Sequence, residues 1–147
     1  MGAPPNLVMA IGSQPTEINV NFSLTTTQTT GSVVAGNIEA FGPLSPPQPV
    51  VTVPAVEVWH ITDLYVLGGP VAADGQVLLL INGYIQNIAP KLSSLNLNLL
   101  TRFRLPYSIP LAPNTTWSTS LYLLQTPTVN ATQLLTIKVQ KAPFTGG

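Results

Sequence analysis

The sequence predicts an all-β domain: a two-sheet, antiparallel β-sandwich. Three observations carry this reading. Short runs rich in Val, Ile, Leu and Thr recur along the chain, punctuated by 15 prolines and 11 glycines,. Several of these runs alternate apolar and polar residues with the two-residue period of a strand, and none shows a convincing 3.6-residue stripe. Near the middle, "QVLLLINGYIQ" (residues 76–86) sets an Asn-Gly pair between two apolar arms, the strongest short-range hairpin signal a sequence offers,.

The elements follow in order. Residues 1–15 read as an N-terminal arm. Its stretch "NLVMAIG" presents Leu7, Met9 and Ile11 at strand alternation, ready to add to a neighbour's sheet edge or to pair within its own domain,. "TEINVNFSL" is the cleanest strand, with Ile18, Val20, Phe22 and Leu24 on one face and Glu17, Asn19, Asn21 and Ser23 on the other,. "TTTQTTG" is a loop or a solvated strand end. "SVVAGNIEAF" predicts a second, weaker strand with a bulge at Gly36. Residues 42–54, around Leu44 in "GPLSPPQP", form a stiff connection with few backbone donors left for a sheet,.

"PAVEVWHITDLYVLGG" is the longest strand candidate. Strict alternation would put Val56, Val58, His60, Thr62, Leu64 and Val66 on one face. Glu57, Trp59, Ile61, Asp63, Tyr65 and Leu67 would take the other. Neither face is purely apolar, so a bulge or sheet-switching bend is expected between His60 and Asp63. "GGPVAADG" is a turn, and the hairpin follows, with Asn82 and Gly83 as a two-residue turn of positive φ. Its first arm is apolar at successive positions and reads as covered on both sides, by the core and by a loop or a neighbouring subunit. "LNLNLL" alternates from Leu95 to Leu99. "RFRLPYSIPLAP", interrupted by Pro106, Pro110 and Pro113, fits an edge or bent strand. "TTWSTSLYLL" and "QLLTIKVQK" close the chain as strands. About eight to ten short strands in a single domain of 147 residues imply two sheets packed face to face,.

Charged residues make up 7% of the chain and cancel to a net charge of zero, against a norm of about 25%. No long-range pull toward nucleic acid or an anionic membrane results, so no nucleic-acid partner is expected. Little colloidal repulsion opposes association either. The absence of cysteine excludes disulfides and thiolate chemistry. No apolar stretch approaches the roughly 18 residues of a membrane span. The start, "MGAPPNLVMAIG", lacks the basic residues and long apolar run of a signal peptide, so none is expected.

No catalytic residue, cofactor or metal is expected. The single histidine, His60, lies in "EVWHITD", where Glu57 and Asp63 would share a strand face roughly 20 Å apart with His60 turned away. Carboxylate pairs such as Asp63 with Asp74, or Glu39 with Glu57, have no spacing that marks a glycosidase. "TRFRLPY" interleaves Arg102, Phe103, Arg104 and Tyr107, a thin footprint for nucleic acid on a neutral domain. Trp59, Tyr65, Trp117 and Tyr122 would make either a sugar-stacking platform or core. Asn21, Asn114 and Asn130 stand in N-x-[ST] triplets,.

From residue 56 to residue 140, the succession "VWHITDLYVLGG", "GQVLLLINGYIQ", "LPYSIPLAPNTTWSTSLYLL", "LLTIKVQ" resembles viral single jelly-roll structural proteins. It looks most like virion proteins of tailless or turreted icosahedral viruses from archaea and thermophiles. The resemblance implies a jelly-roll sandwich located in the virion, a capsid, penton, turret or spike component. Its partners would be copies of itself or other virion proteins. The chain is shorter than most major capsid proteins, which favours a minor or vertex component. Leu7, Met9, Ile11, Leu44 and Phe144 are the expected assembly contacts. An extracellular carbohydrate- or surface-binding module and a filament subunit are the alternatives.

Overall fold

The computed structural model describes residues 14–39, 48–86, 89–96 and 103–144. Within them the protein is all-β, with two antiparallel sheets packed face to face as a sandwich. The strands are β1 (Gln14–Leu24), β2 (Val33–Ala35), β3 (Asn37–Glu39), β4 (Val51–Thr52), β5 (Glu57–Tyr65), β6 (Gly75–Ile81), β7 (Tyr84–Ile85), β8 (Phe103–Leu111), β9 (Thr116–Leu123) and β10 (Ala131–Pro143). The first sheet has the order β3-β1-β10-β5-β8. The second has the order β2-β9-β6-β7, with β4 also paired to β9. Successive strands lie in opposite sheets throughout, except for the hairpin β6–β7.

Alternation in sequence becomes alternation in burial. Ile18, Val20, Phe22 and Leu24 of β1 are buried, while Glu17, Asn19 and Ser23 are exposed. Their cross-strand partners on β10, including Leu135 and Ile137, are buried with them. The second sheet answers with Val77 and Leu79 of β6 and Trp117, Leu121 and Leu123 of β9. Trp59 and Trp117 join the sheets edge to face, ring centroids 6.3 Å apart at 72°. Such a contact is worth about 0.5–1.5 kcal/mol beyond the area it buries.

Gly36 is a crossing between sheets rather than a bulge in one strand. β2 pairs with β9 and β3 pairs with β1, so "SVVAGNIEAF" divides at this glycine. The Gly36 N–H donates to the Thr119 carbonyl at 2.9 Å. A Cβ here would lie 2.6 Å from Val20 Cγ1 and 2.8 Å from Thr119 Oγ1. The crossing passes too close to the core for any side chain.

The irregularity expected between His60 and Asp63 is a bulge. Ile61 pairs with Val139 and Asp63 with Lys138, which leaves Thr62 as an extra residue. One extra residue reverses which face the later side chains occupy. The core therefore takes Trp59 and Ile61 before the bulge and Leu64 and Val66 after it. Glu57 and Asp63 do not share a face, contrary to strict alternation. Asp63 instead shares the outer face with His60, since their β10 partners, Lys138 and Gln140, are two residues apart.

Other expectations need adjustment. β10, at 13 residues, is longer than β5, at 9. Leu95 does not begin a strand: residues Leu92–Leu95 make a 3-10 turn that buries both leucines against the core. Two buried leucines three apart suit a helix of three residues per turn. The connection at residues 42–54 ends in sheet structure, because Gln48 bridges Ile38, β4 pairs with β9, and Val51 and Val53 are buried. Gln14 and Pro15 belong to β1 rather than to an arm. β8 is an edge strand whose register breaks between Arg104 and Ile109, around Pro106.

Candidate assembly surface

The two sheets divide the charges unequally. Glu17, Glu39, Glu57, Asp63, Arg104, Lys138 and Lys141 all lie on strands of the first sheet. The strands of the second sheet carry no charged residue.

On the first sheet, register aligns three charges across three strands. Glu17 faces Lys138 and Lys138 faces Asp63, so the signs alternate along the row. Lys138 Nζ lies 3.9 Å from Glu17 Oε1 at the exposed end of the row. Asp63 is buried although it faces outward. Beside this row, Asn21 Nδ2 donates to Glu39 Oε1 at 3.1 Å and Thr136 Oγ1 donates to Asn19 Oδ1 at 3.1 Å. This face is occupied with its own polar pairing.

The outer face of the second sheet is different in kind. Alternation turns Gln76, Leu78 and Leu80 of β6 outward, since Val77 and Leu79 are in the core. The same rule turns out Ser118, Ser120 and Tyr122 of β9. Register places Ile85, Leu80 and Ser118 in one row, and Leu78, Ser120 and Ala35 in the next. Gln76, Tyr122 and Val33 make the third, with Lys91 bridged to Gln76 at its rim. Val33 and Ile85 are each 59% exposed. The aliphatic side chains of β6 and β7 form a ridge, and Ser118, Ser120 and Ala35 form a trough beside it.

The hairpin at the edge of this face explains its apolar arms. Within the single chain, Leu78 and Leu80 are half-buried on the outer side. Asn82 has φ 52° and Gly83 φ 83°, the two positive values a two-residue turn between Ile81 and Tyr84 requires,. The Asn82 N–H donates to the Thr116 carbonyl at 2.8 Å. Its Oδ1 accepts from the Thr116 N–H at 3.1 Å, tying the turn to the start of β9.

The remaining expected contacts lie elsewhere. Phe144 is exposed at the end of β10, its N–H bound to the Val56 carbonyl at 2.7 Å. It sits at the same end of the sandwich as the Asn82–Gly83 turn but continues the first sheet. Leu7, Met9, Ile11 and Leu44 lie outside the described residues.

Chemistry-bearing groups are scattered. His60 faces outward between Gln140 and Pro110. Among the described residues no three His, Asp or Glu side chains cluster as a metal site. No helix among them is long and apolar enough to cross a membrane. An open groove of about 360 Å³ beside residues 70–74 contains Asp74. Its carboxylate already accepts from the Gly75 N–H, the Ser93 N–H and the Ser93 hydroxyl at 2.9, 3.1 and 2.7 Å. Asp74 thus ties the loop before β6 to the 3-10 turn. The aromatic platform does not form. Trp59 and Trp117 are core, while Tyr65 and Tyr122 face outward from different sheets.

The three N-x-[ST] asparagines differ in setting. Asn21 is within β1 and bound to Glu39. Asn130 Oδ1 accepts from the Thr26 N–H at 2.9 Å. Asn114 is exposed at φ 65° in the turn after Pro113. The uncharged face was the feature missed in the sequence. Its signal was there: charges recur in "TEINVNF", "EVWHITD" and "TIKVQK" and are absent from "QVLLLI" and "TWSTSLYL".

No protein-family model matches this chain, and no curated protein matches it.

Proposed function

We propose that this protein is a structural subunit of a virion, a capsid or vertex component that works by associating with copies of itself or with other virion proteins. The observation that carries the reading is the strand order. With the short β3 and β4 set aside, β1-β10-β5-β8 faces β2-β9-β6-β7. Numbered as eight strands, the order 1-8-3-6 against 2-7-4-5 supports reading the sandwich as a jelly roll. Jelly rolls serve repeatedly as viral capsid and lectin domains.

The charge distribution supports the capsid use over the lectin use. A uncharged face of aliphatic and small side chains costs little to desolvate and recognises another protein surface. The indoles that would stack on a sugar are instead spent in joining the sheets.

The test is assembly of the purified chain, followed by analytical ultracentrifugation and negative-stain electron microscopy as concentration rises. Discrete oligomers or closed shells are the expected result. A protein that stays monomeric to its solubility limit, alone and with co-expressed particle proteins, overturns the reading.

A further inference from the structure

We propose that the outer face of the second sheet packs on the same face of a second copy, about a two-fold axis parallel to the strands. This rests on the self-association reading and specifies its surface. The argument begins with charge. The first sheet presents a row of alternating charges with Glu17 and Lys138 already paired. A partner docking there would have to desolvate ionised groups that gain nothing new. The second sheet has no charge on its strands, and the surface it matches best is one equally uncharged. The chain offers that surface in its own second copy.

Relief then selects the axis. Rotation about an axis parallel to the strands, lying between the two faces, sets β6 of each copy over β9 of the other. The ridge of Leu78 and Leu80 in one copy falls over the trough of Ser118 and Ser120 in its partner. An axis perpendicular to the strands would set ridge against ridge and leave the troughs empty. Lys91, beside Gln76, stays at the solvated rim.

Area sets the strength. Four strands about 4.8 Å apart and three outward rows about 7 Å apart give a footprint on the order of 400 Å². A standard interface buries about 800 Å² per partner. The isolated pair is therefore weak and concentration-dependent, and neighbouring contacts in an assembly strengthen it.

The chain has no cysteine, so single cysteines report contacts cleanly. Ser120→Cys lies near the axis, and Leu134→Cys lies on the outer face of the first sheet at 55% exposure. Both variants are treated with a short bismaleimide at equal concentration. A covalent dimer from Ser120→Cys at least tenfold above that from Leu134→Cys is expected. Adding Leu80→Lys should abolish the dimer while circular dichroism stays unchanged. Equal cross-linking of the two variants, or a dimer that survives Leu80→Lys, overturns this interface. Absence of the Ser120→Cys dimer while ultracentrifugation still finds oligomers overturns the interface alone. A chain monomeric in both experiments overturns the self-association reading as well.

Discussion

Asp63 stands opposite Lys138 on the outer face of the first sheet because Thr62 is an extra residue in β5. Were Thr62 paired in regular alternation instead, Asp63 would enter the core and Leu64 and Val66 would turn to solvent. Deleting Thr62 removes the bulge without that change, because Asp63 then follows Ile61 directly, still opposite Lys138, and Leu64 and Val66 keep their inward positions. The expected outcome is a deletion variant that keeps a cooperative thermal transition, while Thr62→Ser stays within about 1 kcal/mol of the parent. A deletion variant without a cooperative transition would show that the strand needs the bulge itself.

Two glycines should fail for different reasons. Gly36→Ala places a methyl group 2.6 Å from Val20 Cγ1, and overpacking of this kind costs about 1–3 kcal/mol,. Gly83→Val meets nothing within 4 Å, yet its φ of +83° is unfavourable for a branched side chain, a strain of about 1–3 kcal/mol. Urea unfolding separates the two. Val20→Ala should recover part of the Gly36→Ala loss in a double-mutant cycle, and no neighbouring truncation should rescue Gly83→Val.

Thr119 is buried in the core and its hydroxyl has no hydrogen-bond partner. It borders a small cavity of about 10 Å³ whose other lining residues are Ile61, Leu64, Val77, Leu79, Ile109 and Ile137. A buried water needs two to four polar partners, and this cavity supplies only one residue with a polar side chain. Thr119→Val keeps the shape and removes the stranded hydroxyl. A gain of about 1 kcal/mol is expected, read by calorimetry as a rise in Tm of about 2–4 °C.

Lys141 lies over the Trp59 ring, its Nζ 4.3 Å from the centroid. Burial lowers its pKa below the ordinary 10.5, against the opposing pull of the Glu57 carboxylate. The unfolded chain thus holds this proton to higher pH than the folded protein does. The stability penalty is present at neutral pH and is relieved as pH rises through the folded pKa toward 10.5,. Thermal melts of the parent and Lys141→Met across that range should show the parent gaining on the variant. Parallel curves would remove Lys141 as their cause.

The core of β1 was legible because nothing interrupts its alternation, and Ile18, Val20, Phe22 and Leu24 are all buried. The hairpin was legible because Asn82 and Gly83 tolerate the backbone angles that a two-residue turn imposes. The division at Gly36 was not, because a glycine between two short apolar runs signals a bulge and a sheet crossing equally well. The 3-10 turn at Leu92–Leu95 was hidden by leucines whose spacing also continues into an alternating pattern. The candidate surface was hidden for another reason. Absence of charge shows in each strand separately, but register and sheet membership are needed to make those strands neighbours.

Local periodicity by itself determined that this chain is all-β, where its principal strands run and which side chains of β1 face inward, because pleating forces alternate residues to opposite faces. The tertiary structure decided which strands share a sheet. Pairing joins β1 to β10 and β2 to β9 across more than half the chain, and no local signal encodes such a partner. By gathering the charged strands into one sheet and the uncharged strands into the other, that pairing turned a merely charge-poor composition into two chemically distinct faces.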